Sequence, residues 1–344
     1  MKFKLAFIGF GVVGQGLAQI LLEKKEWLKE KYDFDYDVIA ISDKKLGSVY
    51  KEEGLDIGKI IKHIKENKNL NDYHEGKTGW DPIKTIKDSN ANTIIEVTFT
   101  DMETGGPALE HVRTALTEGK HVVSTNKGPV ANELKKLLDL ANKMKVEYRF
   151  EGTVLSGTPA LNLALQNLAG CEIREIKGIV NGTTNYILTK MEEGMDYEAA
   201  LKKAQELGYA EADPTGDVEG IDAQGKVVIL SNTIMDADLQ LSNVERKGIT
   251  DLTLKDIKEA KESGYRWKLI ASAKKTKNGI KAKVSPEKLP ISHPLASVMG
   301  PTNALTFSTD YLDDVTIVGP GAGKKETGYA LLVDLLAIND KVGE

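Results

Sequence analysis

Phe3-Lys-Leu-Ala-Phe-Ile-Gly-Phe-Gly-Val-Val-Gly14 decides the fold. Phe3 to Gly9 is a short apolar run, the pattern of a buried strand. Gly9-Phe10-Gly11-Val12-Val13-Gly14 follows at once, and an amphipathic stretch runs from about Gln15 to Lys31. Strand, Gly-x-Gly-x-x-Gly and helix in that order is a dinucleotide-binding turn. Gly9 permits the tight turn, Gly11 lets the main chain approach a pyrophosphate, and Gly14 lets the helix pack closely. The helix N-terminus then faces the negative charge.

The second strand, Tyr36 to Ser42, ends in Asp43-Lys44-Lys45. An acid there holds the ribose 2'-hydroxyl of NAD, whereas adjacent lysines suit the 2'-phosphate of NADP. Both signals are present, and the nucleotide stays open. Residues 47 to 92 read as an irregular polar excursion with a short helix near Asp56 to Asn67, punctuated by Gly76, Gly79 and Pro82. Thr93 to Phe99 is the next strand, with Thr100 at the carboxyl end that lines the ligand crevice in a doubly wound sheet. A helix (Gly106 to Glu118), a strand (Lys120 to Ser124) and a helix (Pro129 to Lys143) follow. Lys127 falls at the strand-to-helix turn, and Val146 to Phe150 is the closing strand. The alternation predicts an α/β fold, a Rossmann-type doubly wound parallel sheet with helices on both faces. The domain change is expected near Glu151.

Beyond it, Ala160 to Leu168 reads as an apolar helix and Ile173 to Val180 as a strand. Asn181-Gly-Thr-Thr-Asn185 opens a helix reaching Glu193, with Thr183 or Asn185 as its cap. An amphipathic helix, Asp196 to Leu207, leads into the most charged stretch of the chain. Glu211, Asp213, Asp217, Glu219 and Asp222 precede Lys226. Pro214 and Gly216 mark a turn, and Asp217 is placed to cap a helix carrying Lys226-Val-Val-Ile-Leu. Asp222 and Lys226 are four residues apart and share a face. Spacing alone allows a solvated ion pair. It equally allows an acid-rich mouth that grips an ammonium beside one proton-handling lysine. Further on, a helix is expected at Leu254 to Ser263. Strands are expected at Trp267 to Ala273, Gly279 to Val284, Asn303 to Thr309 and Val315 to Val318, with Pro286, Pro290, Pro294 and Pro301 breaking the region. This second domain reads as α+β. Gly319-Pro-Gly-Ala-Gly323 turns into a final helix reaching about Leu336.

The 344 residues are 41% apolar and 28% charged, with a net charge of -5 and both signs mixed. No basic block is present to neutralise phosphates, which argues against nucleic acid as a partner. No apolar run is long enough to span a bilayer. The N-terminus runs straight into a strand without a signal-peptide pattern, so a cytoplasmic location is expected. The single cysteine, Cys171, excludes an internal disulfide and a cysteine metal cluster. It lacks a surrounding site signature, which argues against thiohemiacetal chemistry. The five histidines lie in no motif, against a histidine base.

Taken together, these motifs resemble the homoserine dehydrogenase family over nearly the whole chain. The likeness rests on Gly9–Gly14, Ser124-Thr-Asn-Lys127, Asn181-Gly-Thr-Thr-Asn-Tyr-Ile-Leu, Gly208-Tyr-Ala-Glu211-Ala-Asp-Pro214, Asp217-Val-Glu-Gly-Ile-Asp222-Ala-Gln-Gly-Lys226 and Gly319–Gly323. It implies a nucleotide-binding domain over residues 1–150, completed by 319–344, and a catalytic and dimerisation domain over 151–318, hence a homodimer. It also implies reversible reduction of L-aspartate 4-semialdehyde to L-homoserine with NADP or NAD. Lys226 then matches the proton donor and Asp222 the acid that orients it and the substrate. Glu211, Asp217, Gly208 and Tyr209 match the substrate pocket. Lys127 matches a lysine at the cofactor–substrate junction. Thr100 and Gly323 match cofactor contacts, beside Gly9, Phe10, Gly11, Val12, Val13, Gly14, Asp43 and Lys44. Glu151, Val154, Ser156 and Thr158 match a turn binding a monovalent cation such as sodium. Gly216 stands where some members carry another acid. The chain stops soon after the final helix, so feedback control through a C-terminal regulatory domain is not expected. Two rivals remain. A redox-sensing regulator would keep the glycine motif but would not need Asp222 and Lys226, and another hydroxy-acid or amino-acid dehydrogenase would differ in substrate.

Overall fold

Phe3–Ile8 forms β1, in which five of six residues are fully buried. A computed structural model describes residues Lys2 to Gly343 and divides the chain into two compact units. The first is Met1–Gly157 with Gly323–Glu344, the second Thr158–Ala322.

In the first unit β1 is followed by α1 (Val12–Tyr32), β2 (Tyr36–Asp43), β3 (Gly47–Tyr50), α2 (Ile57–Asn67), β4 (Lys77–Thr78) and α3 (Pro82–Asp88). Next come β5 (Thr93–Glu96), α4 (Gly106–Thr117), β6 (His121–Ser124), α5 (Lys127–Met144) and β7 (Tyr148–Arg149). The strand order is β4-β3-β2-β1-β5-β6-β7. β1, β2, β5, β6 and β7 are parallel, and β3 and β4 add an antiparallel edge. The stretch from 47 to 92 is thus more ordered than its composition suggests. Asp56 and Asp81 cap α2 and α3 through Lys59 and Lys84 N–H groups, and Pro82 starts α3 instead of breaking the chain. The chain order reverses between β1 and β5, which defines a crevice at their carboxyl ends. The C-terminal helix (Lys324–Gly343) packs along α1 in this same unit. Gly16 and Gly328 make that approach feasible, since a β-carbon at either would collide with backbone of the other helix.

In the second unit α6 (Ala160–Asn162) is only three residues long. The expected helix to Leu168 instead widens into a π-type turn over Leu163–Asn167. β8 (Ile173–Ile179), α7 (Gly182–Glu192), α8 (Tyr197–Glu206), α9 (Thr215–Val218) and α10 (Ile221–Ile234) follow. β9 (Glu245–Arg246), α11 (Leu254–Glu262), β10 (Tyr265–Thr276), β11 (Gly279–Pro290), β12 (Thr302–Thr309) and β13 (Asp314–Pro320) complete it. The sheet order is β13-β12-β8-β10-β11-β9, antiparallel except for the β9–β11 pair. β10 and β11 form one long hairpin that runs through Pro286 and Pro290, contrary to the expected break. Only Lys283 and Val284 of β11 pair with β9, so Pro286 lies where the strand has one neighbour and tolerates a missing N–H.

Helices α7 and α10 pack on this sheet, and Lys268 of β10 is buried in this unit. Its Nζ donates to Asn185 Oδ1 at 2.9 Å and to the Val298 carbonyl. Burial pushes this ammonium down to about 8 from its ordinary 10.5. The folded protein therefore releases this proton at lower pH than the unfolded chain. Between about pH 8 and 10.5 the unfolded chain binds more protons at this site, so stability rises with pH there. Urea unfolding across that window should show the wild type gaining roughly 1–3 kcal/mol relative to Lys268→Met as pH rises. A constant difference between the two would rule the effect out.

Candidate active site

The register of the first sheet places Ile8 beside Ser42 on one side and Glu96 on the other. Gly9 therefore leaves β1 between two strands, and its φ of +91° is one that side chains resist. A β-carbon there would lie 2.7 Å from the Val97 carbonyl oxygen. Gly14 packs on Gly9 and Val97, whereas a β-carbon on Gly11 would meet nothing within 4 Å. The turn is tight where it touches the sheet and open where a ligand would approach. Phe10 contributes main chain only. Its ring is buried edge-to-face on Phe7, with centroids 5.3 Å apart, and its N–H donates to Asp43 Oδ2 at 2.8 Å. Asp43 Oδ1 accepts from the N–H groups of Lys45 (2.8 Å) and Leu46 (2.9 Å). That carboxylate thus ties the glycine turn to the end of β2.

A cleft of about 300 Å³ opens here, lined by Gly11, Val12, Gln15, Asp43, Lys45, Leu46 and Lys324. Val13 is half-buried against the core, and Lys44 is exposed outside the lining. Gln15 and Lys324 were not foreseen. Lys324 follows Gly323 at the start of the C-terminal helix, which belongs to the first unit. Thr100 lies on the loop after β5, and Lys127 is the first residue of α5, after the capping Asn126. Both are half-buried.

The second unit gathers the charged stretch. Gly220, with φ +76°, starts α10 without a side-chain cap, so Asp217 does not cap that helix but lies within α9. Asp222 and Lys226 share a face of α10 as their spacing requires. Their contact is 2.7 Å, and Lys226 is buried. The lysine also donates to the Val180 carbonyl at 2.7 Å. The pair is therefore not a solvated surface bridge. Asn181 is the unforeseen hub. Its Oδ1 caps α7 by accepting from Thr184 N–H at 2.9 Å, in place of the expected Thr183 or Asn185. Its Nδ2 donates to Asp217 Oδ1 (2.6 Å) and Asp222 Oδ2 (3.0 Å). Burial raises the Asp217 carboxyl above its usual range, and Asp222 adds to the rise. An asparagine before Gly-Thr-Thr is a recognisable N-cap, but its second hydrogen-bonding arm leaves no trace in sequence.

Tyr209 anchors the neighbouring loop, its carbonyl accepting from Thr183 Oγ1 at 2.6 Å, while Gly208 and Glu211 are exposed. The hydrogen bonds described for this cluster do not include the Glu211 carboxylate, and the Glu211 carbonyl accepts from Gln205 Nε2 at 3.1 Å. A β-carbon on Gly216 would meet nothing within 4 Å, so a larger residue has space there.

Glu151, Val154, Ser156 and Thr158 are all buried. Glu151 N–H donates to Asp334 Oδ2 at 2.9 Å, and Ser156 holds a left-handed φ of +54° with its hydroxyl 2.7 Å from Thr327 Oγ1. Thr158 belongs to the second unit, where its hydroxyl donates to the Pro320 carbonyl at 2.9 Å. Among the described residues no group of three or more His, Cys, Asp or Glu side chains is placed for a metal ion. No helix among them is long and apolar enough to cross a membrane.

A dinucleotide turn on a doubly wound sheet, in one chain with a buried lysine–carboxylate pair, defines a class: a two-unit α/β oxidoreductase. Comparison narrows it. The family model described as homoserine dehydrogenase matches residues 159–336. An NAD(+)-dependent homoserine dehydrogenase of Pseudomonas canavaninivorans is 44% identical over 98% of this chain and 96% of its own length. A homoserine dehydrogenase structure from Thiobacillus denitrificans superposes with a TM-score of 0.87 at 30% identity, covering 100% of this chain and 74% of that one. A hyperthermophilic archaeal homoserine dehydrogenase in complex with NADPH gives 0.84 at 31% identity, covering 99% and 98%. The chain belongs to the homoserine dehydrogenase family.

Asn181→Ala removes the donor that two carboxylates share. Asp217 should then rise further, so the folded state loses more stability where that carboxylate is ionised. Urea unfolding should show a loss of about 1–3 kcal/mol, larger at pH 8 than at pH 4. An equal loss at both pH values would show that the amide acts only as the α7 cap.

Proposed function

We propose that the chain catalyses reversible hydride transfer between a nicotinamide dinucleotide and L-aspartate 4-semialdehyde, giving L-homoserine, with Lys226 as proton donor. The observation that carries this reading is the buried Lys226 ammonium, 2.7 Å from Asp222 and held by the Val180 carbonyl, in a chain of this family. A rigid cation in a site withdrawn from water can stabilise the oxyanion formed from an aldehyde and then protonate it. Asp222 orients that ammonium. Asp217, with Glu211 at the rim and the Gly208–Tyr209 main chain, offers acceptors to a substrate ammonium. Lys127 assists at the substrate side of the nucleotide.

The residues of the first unit fit a dinucleotide. Gly11 leaves its main chain open, and Gly9, Val12, Val13 and Gly14 shape the turn. Asp43 offers a ribose acceptor, while Lys45 and Lys324 line the same cleft and suit a phosphate. NAD and NADP both lie within the reading. The nicotinamide supplies the hydride chemistry, and Thr100 and Gly323 help to seat the nucleotide. The reading extends to a monovalent cation, sodium, on Glu151, Val154, Ser156 and Thr158. The left-handed Ser156 supports it, since strained backbone of this kind clusters at functional turns. It also extends to a homodimer through the second unit. There Tyr311, Leu312 and Val318 are more than half exposed on and beside the edge strand β13. A cytoplasmic enzyme without a nucleic-acid or membrane partner completes it.

Steady-state oxidation of L-homoserine, with NAD and NADP in parallel, tests the assignment. Wild type should turn over with at least one nucleotide. Lys226→Ala should lower kcat by about 10²–10⁴-fold. Retained activity in the variant would remove Lys226 from that role.

A further inference from the structure

Glu96 ends β5 and is fully buried, and the sheet register sets it between Ile8 of β1 and Ser124 of β6. Its Oε1 accepts from the Thr98 hydroxyl and from Thr98 N–H at 3.3 Å, with His111 Nδ1 at 3.4 Å. The Ser124 hydroxyl donates to the Glu96 carbonyl at 2.8 Å, with Oε2 3.4 Å away, and accepts Asn126 N–H at 3.0 Å. Asn126 closes the circuit. Its Nδ2 donates to the carbonyls of Thr98 (3.2 Å) and Phe99 (3.1 Å), and its Oδ1 accepts Gly128 N–H at 3.1 Å to cap α5.

A junction held by packing alone needs no acid here. An apolar side chain would fill position 96 without the desolvation that a buried carboxylate suffers. The acid does what an apolar residue cannot: its carboxylate fixes Thr98 by hydroxyl and N–H, and the Thr98 and Phe99 carbonyls in turn hold Asn126 Nδ2. Thr98 is two residues from Thr100, and Asn126 directly precedes Lys127. We infer that Glu96 is a positioning residue, which locks the loop after β5 and the turn before α5 together so that Thr100 and Lys127 are presented in fixed geometry. The catalytic part of this inference rests on the function proposed above.

Glu96→Gln keeps the volume but replaces one acceptor by a donor. Amide hydrogen exchange over residues 98–101 and 125–128 should quicken about tenfold or more, with the rest of the first unit unchanged. Homoserine oxidation should lose about 10–100-fold in kcat, with a smaller rise in the KM for nucleotide, which Thr100 helps to seat. In a Lys127→Ala background the same substitution should cost clearly less than in wild type, because part of its effect acts through Lys127. Additive losses, or unchanged exchange in both segments, overturn the inference. If wild type turns over homoserine with neither nucleotide, the functional reading fails instead, and exchange still decides whether Glu96 sets the two segments. Should Glu96→Gln not fold, Thr98→Val and Ser124→Ala each delete one hydroxyl of the circuit and are read in the same way.

Discussion

An ammonium withdrawn from water must find acceptors or lose its charge, and the second unit is built around meeting that need for Lys226. α10 supplies Asp222 one turn away, and the end of β8 supplies the Val180 carbonyl. Asn181, next in the chain, then binds Asp222 and Asp217 together. Stability does not explain the arrangement, because a buried ion pair is often no better than apolar side chains of the same volume. What it provides is direction. A cation fixed by a carboxylate and a carbonyl cannot reorient freely, and a fixed cation is what a developing oxyanion requires.

The first unit solves a different problem with the same tools. Its glycine turn must be tight against the sheet and open to a ligand, and those demands fall on different glycines. Gly9 and Gly14 have no room for a side chain, while Gly11 has ample room and no neighbour. The turn is then anchored by polar groups: Asp43 accepts three main-chain N–H groups, one of them from Phe10. Glu96 does the same for the neighbouring strand end. Asp43 and Glu96 thus both orient backbone.

The sheet of the first unit was legible in sequence because buried parallel strands are short apolar runs set off by helices. The glycine turn was legible because its spacing is a steric requirement. The i,i+4 pair of Asp222 and Lys226 was legible as a pair, but its burial was not, since burial depends on what packs over a helix face. Other features escaped for similar reasons. The region from 47 to 92 looked irregular because its strands are short and lie on an edge, where apolar alternation is weak. Pro286 looked like a break because sequence does not reveal that its strand lacks a second neighbour there. Asn181 was overlooked as the cap in favour of Thr183 and Asn185, and its bridge to Asp217 and Asp222 joins residues more than 35 positions apart.

The acid cluster also shows how a site of this kind can be tuned without rebuilding it. Asp217 is already raised by burial and by Asp222, so the Asn181 amide is what moderates two like charges in one small volume. Gly216, adjacent to Asp217 and facing open space, accepts a larger residue without a steric clash. An acid there would oppose ionisation of Asp217. A glycine at that position therefore leaves Asn181 with two carboxylates to satisfy, and its single amide serves both.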